Sequence, residues 1–423
     1  MEEKFLYHIW DAGHLLPGLK TASGKELKIN YSGQFNTQRG PDFMNAVLSI
    51  DGETTQGAVE IHQSTLDWRR HNHQEDHHYN CVILHAVLNH NTELPYTQKE
   101  DGQWVEILEL KSFLSEDIKK LLENYQETSS SARSKYCERL SAIDREHLIS
   151  ILNQHGMARF HSKVKRFNAA LSLSDFEQIL YEGMLEAAGY DKNKLNMLQL
   201  AQSIPLRKLK QWQQDGMQLI EMAAILACGS GLVIKSNSHK ALVQQLTHVY
   251  EKQRFAALNL DIDWQLFRIR PPAHPLPRLL AITAFLYPKL EAGLLHAFLS
   301  RVEHDSPNSE LRYKRFRQLF GENGDSNLSS TVIDNIYLNI YLPIIYLYAH
   351  KLGHSEMERS TLESWSGFKA LADNYLIRYM QNHLNSSQQS LIRHKSLYQQ
   401  GLIDIFYRYC RYHQCPQCRQ EDK

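Results

Sequence analysis

Apolar and polar positions follow two rhythms along the chain, and the change falls near residue 110. Ahead of it, short runs alternate with a period of two and are separated by Gly, Pro and Asn, as strands and turns are. Beyond it, apolar residues recur at three- and four-residue spacing, the buried stripe of helices. Residues 2–14 put Phe5, Leu6 and Ile9 on one side and predict a first helix. Residues 25–31 alternate as a strand. Residues 43–50 alternate more clearly, with Met44, Ala46, Leu48 and Ile50 on one face. Asp51-Gly52 then predicts a turn, and residues 56–62 the return strand. Residues 64–79, polar and rich in Trp, Arg and His, predict a helix. Residues 81–88 form an unbroken apolar run, the mark of a strand covered on both faces, and residues 104–110 add one more strand. The expectation is an α/β N-terminal domain over residues 1–110, in the order helix, three strands, helix, strand, around a mixed central sheet. A mainly α-helical C-terminal region follows over residues 111–423.

Within that region, Ser174 and Glu177 make a capping-box pattern ahead of Phe176, Ile179, Leu180 and Met184, with Gly189 as a stop. Arg270-Pro271-Pro272-Ala273-His274-Pro275 is a rigid connector and marks a sub-boundary near 270. Residues 332–350 and 397–411 predict long aromatic-rich helices. A hydrophobic share of 42% against 22% charged fits a folded rather than a disordered chain. Lys plus Arg and Asp plus Glu both number 47, which excludes a globally basic nucleic-acid coat and leaves only local patches. No apolar run approaches the roughly 18 residues that span a bilayer, and Met1-Glu2-Glu3-Lys4 opens no signal peptide. Six cysteines are too few for a disulfide scaffold at this length. A cytoplasmic protein without a membrane partner is expected.

Two carboxylates stand out. Asp42 sits in Gly40-Pro41-Asp42-Phe43, just before the second strand, and Glu60 near the end of the third. Residues two apart on a strand share a face, so Glu60 and His62 point one way while Val59 and Ile61 point the other. An ionised carboxylate on a sheet is costly unless it is paired, hydrogen-bonded or metal-bound. Mg²⁺ or Mn²⁺, held by carboxylate oxygens, would satisfy both acids and orient a hydroxide for phosphodiester attack. In an unbroken second strand, however, Asp42 shares the face of Leu48 and Ile50. A bulge or bend near Pro41 is needed to bring it to Glu60.

This order of elements, with Pro41-Asp42 opening the second strand and Glu60-Ile61-His62 closing the third, resembles the PD-(D/E)XK phosphodiesterase superfamily. More widely, Gly40-Pro41-Asp42-Phe43, Val59-Glu60-Ile61-His62, Asp67-Trp68 with His71 and His73, Arg270-Pro271, and Gln400-Gly401 resemble the bacterial family called domain of unknown function 2851. The first resemblance implies a nuclease on DNA or RNA, with Asp42, Glu60 and the carbonyl of Ile61 on Mg²⁺ and His62 orienting or deprotonating water. It also implies that His62 stands where the superfamily has lysine. Arg69 or Arg70 would then supply the missing charge, and Glu2 or Glu3 a further ligand. The alternative is a catalytically degenerate nucleic-acid-binding or scaffold protein with the same fold.

Seven of the 22 histidines lie between His62 and His90. The run from His71 to His78 resembles the His-x-His-x-Asp-His signature of metallo-β-lactamase-like hydrolases, with the second pair one residue late. A zinc hydrolase on His71, His73 and Asp76 is the further reading, and on a helix His73 and His77 would share a face. His85 reads as a hydrogen-bonded core histidine. Three cysteines, Cys410, Cys415 and Cys418, crowd the last fourteen residues around His413. They suit zinc or an iron–sulfur cluster, completed either by His413 or by Cys137; the second layout resembles the staple of RecB-type nucleases. Cys81 and Cys228 lie in apolar runs and read as core residues. Arg159 and Lys163, with Lys165 and Arg166, form a local basic cluster suited to phosphate contact, and Arg207, Lys208 and Lys210 form another. Phe160, Phe167 and Trp212 stand ready to stack on bases or to pack.

Overall fold

The computed structural model describes residues 3–115, 137–190, 192–233, 240–252, 258, 260, 262–302, 308–321, 328–415 and 418. The chain forms two compact units, one of residues 1–173, 373–394 and 398–423, the other of residues 174–372 and 395–397.

The first unit is built on a mixed seven-stranded sheet. Helix α1 (Lys4–Ala12) precedes β1 (Leu27–Tyr31), β2 (Gln34–Phe35), β3 (Phe43–Ile50) and β4 (Glu53–Ser64). The single helical turn α2 (Asp67–Arg70) leads to β5 (Val82–Asn89), β6 (Tyr96–Gln98) and β7 (Trp104–Glu109). The strand order is β1-β3-β4-β5-β7-β6, with β2 added to β3. Strands β1, β3 and β4 pair antiparallel, whereas β4–β5 and β5–β7 are parallel. The expected order of elements is therefore present, with two short strands, β2 and β6, that the pattern did not announce. Asp51 and Gly52 both take positive φ, 49° and 85°, as a two-residue hairpin turn requires.

One face of the sheet is apolar. Phe43, Ala46, Leu48, Val59, Ile61, Leu84 and Ala86 form a continuous core with Phe5, Leu6, Ile9 and Trp10 of α1. The indole N–H of Trp10 also donates to the Ser32 carbonyl at 2.8 Å. On β4, the alternate positions Ala58, Glu60 and His62 lie on the opposite face, where Ala58, Trp68, Tyr79, Val82 and Val105 make a second, smaller core.

A β-bulge sets the side on which Asp42 lies. Phe43 pairs with Val59, yet Ala46 pairs with Gly57, so β3 carries one extra residue between them. Asn45 absorbs it in the left-handed region at φ 58°. Beyond the bulge Ala46 and Leu48 face the apolar core; before it, the parity is reversed and Asp42 joins Glu60. Met44, expected on the Leu48 face, packs instead against the smaller core.

The helix expected over residues 64–79 is a correction. Only Asp67–Arg70 is α-helical, followed by 3₁₀ turns at His73–Glu75 and His77–Tyr79. Asn72 stops the helix in the left-handed region, and Asp76 is extended and caps the second turn through His78 N–H. His73 and His77 therefore do not share a helix face.

The same unit includes α3 (Glu138–Ala142) and α4 (Arg145–Leu171). Leu140, Leu148 and Leu152 share a core with Ile377, Met380, Leu402, Ile405 and Tyr409. The terminal segment folds back on α1, where the Tyr412 hydroxyl donates to Asp11 Oδ2 at 3.0 Å.

The second unit is helical. Its helix Phe176–Gly189 is capped by Asp175, not by Ser174, while Glu177 accepts the N–H groups of Leu294 and Leu295. Ser330–Leu352 runs 23 residues through a π-turn at Tyr337–Tyr341 and packs Tyr337 and Tyr341 on Phe316. By length and composition this helix passes for a membrane span, against the sequence expectation, yet 78% of its apolar window is buried within the protein.

Candidate metal centre

The end of β4 delivers Glu60 and His62 to the polar face, and the crossover to β5 brings His71 and His73 down onto them. Trp68 anchors that crossover, 1% exposed, with its indole N–H donating to the Gln98 carbonyl at 3.0 Å. Asp67 holds the start, accepting Ser64 N–H at 3.0 Å and pairing with Arg70 at 2.8 Å. Arg39 ties the far side to Asp76 at 2.8 Å.

Asp42 and Glu60 are joined by two backbone-to-carboxylate bonds across β3 and β4. Asp42 N–H donates to Glu60 Oε2, and Ile61 N–H donates to Asp42 Oδ2, both at 3.0 Å. The Tyr7 hydroxyl also bonds Asp42 and reaches Glu3 at 3.5 Å. Burial, and then the Glu60 charge, push the Asp42 carboxyl up to about 8. Burial also raises Glu60 to about 8, and raises Glu3.

The other oxygen of Glu60 faces imidazoles. Its Oε1 lies 3.3 Å from His62 Nε2 and 3.2 Å from His73 Nε2. His62 Nε2 lies 3.1 Å from His71 Nδ1. One ring nitrogen from each of His62, His71 and His73 falls within 4.8 Å of the others. Glu60, His62 and His73 are buried, whereas His71 is exposed and leaves the cluster open on its own side. His73 is stacked on Tyr79 with ring centres 3.7 Å apart, and its Nε2 is buried without a hydrogen bond of acceptable geometry.

Behind His62 runs a relay. His62 Nδ1 lies 2.9 Å from His85 Nε2, and His85 Nδ1 lies 2.9 Å from Thr97 Oγ1. His85 is thus the hydrogen-bonded core histidine that its strand suggested. Burial first, and neighbouring imidazoles next, press His62 down to about 2; burial likewise takes His85 to about 3 and His73 to about 4. All three are neutral at pH 7, the form in which imidazole binds metals.

The expected residues are thus gathered selectively. Asp42, Glu60 and His62 come together, the last as a neutral ring and not as a substitute for a lysine charge, while Ile61 enters through its N–H to Asp42 Oδ2. His71 and His73 join them. Asp76 does not: it groups with His77 and His78 and pairs with Arg39. Arg70 is held by Asp67, and Arg69 is exposed on the crossover. Glu3 lies close enough to His71 for their charges to interact, and Glu2 lies outside the described residues. Arg159 is not presented to a phosphate, because its Nε donates to Gln400 Oε1 at 2.7 Å and its guanidinium lies over Tyr407. Lys163 is half-buried on α4. Phe160, Phe167 and Trp212 are buried and pack.

Among the described residues, none of the six cysteines forms a disulfide. Cys137 and Cys410 pack against the core that contains Cys418, and Cys137 N–H donates to His383 Nδ1 at 3.1 Å. The Tyr379 phenol is raised by burial first, and then by Cys410, Tyr375, Cys415 and Cys137. Cys81 is exposed, not a core residue, and Cys228 is half-buried.

A sequence model of the family described as a protein of unknown function (DUF2851) matches residues 3–374. The chain belongs to that family. The DUF2851 match takes in every residue of the centre, from Glu3 to Thr97, and ends before Gln400-Gly401 and the terminal cysteines. No curated protein and no solved structure matches the chain.

Proposed function

We propose that the protein is a metal-dependent hydrolase that cleaves phosphodiester bonds in DNA or RNA at the Glu60 centre. The observation that carries this reading is the reciprocal bonding of Asp42 and Glu60 on one sheet face. Two buried carboxyls at the ends of adjacent strands, followed by a third polar side chain two residues on, resemble the PD-(D/E)XK arrangement in order and place. A bound ion would supply a water of lowered pKa. Asp42, raised by burial and by Glu60, has a proton affinity suited to taking up or returning a proton near neutral pH. Tyr7 orients it. His71 stands at the open side, where a substrate phosphate would enter.

Departure from the superfamily pattern at His62 supports a second reading, a nucleic-acid-binding or scaffold protein that has lost catalysis. A neutral His62 cannot stabilise phosphate charge as lysine does. The two are separated by incubating wild type and Glu60→Ala, matched for folding by circular dichroism, with single- and double-stranded DNA and RNA. Mg²⁺, Mn²⁺ and Zn²⁺ are tested in turn. Cleavage by wild type alone is expected. Equal cleavage by both, or none by wild type with any ion, overturns the hydrolase.

Cys137, Cys410 and Cys418 contribute to one core, and a second ion, zinc or iron–sulfur, that pins the terminal segment within its unit would need their sulfurs to draw together, since no three cysteines form a group within 4.8 Å among the described residues. Iron, sulfide and zinc analysis of anaerobically purified protein tests it.

A further inference from the structure

Magnesium does not fit the donors assembled here. Mg²⁺ asks for six near-octahedral oxygens and binds imidazole poorly. Glu60 Oε2 and Asp42 Oδ2 are already occupied by backbone N–H groups. The free carboxylate oxygen, Glu60 Oε1, looks onto two ring nitrogens.

A tetrahedral ion with ligands at 2.0–2.1 Å places those ligands about 3.3–3.4 Å from one another. Three of the six spacings, 3.3 Å for Glu60 Oε1 to His62 Nε2, 3.2 Å for Glu60 Oε1 to His73 Nε2 and 3.1 Å for His62 Nε2 to His71 Nδ1, are of that size, and the ring nitrogens of His62, His71 and His73 lie within 4.8 Å of one another. The buried Nε2 of His73, with no hydrogen bond, points the same way. Proton placement agrees. If His62 Nδ1–H donates to His85 Nε2, and His85 Nδ1–H donates to Thr97, the lone pair of His62 Nε2 is left facing Glu60 and His71. Such partners behind a ligating imidazole fix its tautomer and orientation.

We propose that Glu60, His62, His71 and His73 bind one divalent transition ion of the zinc and cobalt class, with His85 and Thr97 positioning His62. This rests on the site of the proposed hydrolase but does not need its activity, because the test reads binding.

Full-length protein is stripped with chelator, Cys137, Cys410, Cys415 and Cys418 are replaced by Ser to silence the thiols of the terminal segment, and Co²⁺ is titrated. One equivalent is expected, with the strong visible absorption of tetrahedral Co²⁺ and no sulfur-to-cobalt band. Zn²⁺ should displace it and millimolar Mg²⁺ should not. His73→Ala should abolish the absorption, and Thr97→Val should weaken binding 10- to 100-fold. His77→Ala, in the neighbouring histidine cluster, should change nothing. Unchanged Co²⁺ binding in His73→Ala, equal loss in His77→Ala, or displacement by Mg²⁺ overturns the assignment. So does an absence of binding by folded wild type. Cleavage without such binding would spare the hydrolase and reject this site; binding without cleavage would do the reverse.

Discussion

The two faces of the sheet in the first unit follow opposite rules. Under α1, the buried inward positions from β3, β4 and β5 are apolar, and the face is held mainly by burial. Under the crossover, the same strands present Asp42, Glu60, His62 and His85, so the face is held by a small core around Trp68 and by polar contacts. The first arrangement stabilises the unit. The second leaves acids unwilling to ionise, which a bound cation would reverse, and imidazoles unprotonated, the form that a cation binds.

The comparison breaks most visibly if the apolar face is cut. Leu48→Ala removes a fully buried side chain just beyond the bulge, on the apolar face of β3. It should cost about 2–5 kcal/mol in a denaturant titration, while ion affinity of the folded protein stays within twofold. Weakened binding at unchanged stability would merge the two faces.

Next in size is the response of the polar face to pH. In the ion-free fold Asp42 and Glu60 keep their protons up to about 8, whereas in the unfolded chain they lose them near 4. Histidines His62, His73 and His85, held low, titrate only below about 6.5 in either state. Between about pH 6.5 and 8 the folded state alone therefore holds extra protons, and ion-free stability should fall as pH rises. Glu60→Gln should flatten that slope. Zn²⁺ at a hundredfold over its Kd should raise stability by about 2.7 kcal/mol. A flat profile in wild type would show that the carboxyls ionise freely.

The smallest effect sharpens how the two faces are kept apart. Asn45→Ala places an alanine at φ 58° and should cost about 1–2 kcal/mol, with Asn45→Gly near neutral. If the bulge slips, Asp42 leaves Glu60. Asn45→Ala should then weaken ion binding more than Leu48→Ala does.

Much of this was legible before the structure. Alternation marks β3, apart from Met44 before the bulge, and β4; the apolar run marks β5; and the carboxylate pair is visible as Asp42 and Glu60. Asn45 hinted at the bulge, since asparagine tolerates the left-handed region, but one asparagine among polar neighbours is no positional signal. Residues 64–79 misled because helical composition says nothing of Asn72, which turns the chain and lets His71 and His73 converge with His62. The convergence itself is non-local. Nothing in spacing along the chain announces that His62, His71 and His73 meet, while the nearer pair His77 and His78 goes to Asp76. Arg159 misled for a similar reason: its charge fits a phosphate, but Gln400 and Tyr407, some 240 residues on, claim it.

Anomalous diffraction from crystals of the Zn²⁺-loaded full-length protein, at the zinc edge, tests the central claim most directly. One peak within bonding distance of Glu60 Oε1 and of ring nitrogens of His62, His71 and His73 is the predicted result. An ion seated between Asp42 and Glu60 with only oxygen ligands, or no peak on this face of the sheet, would contradict it.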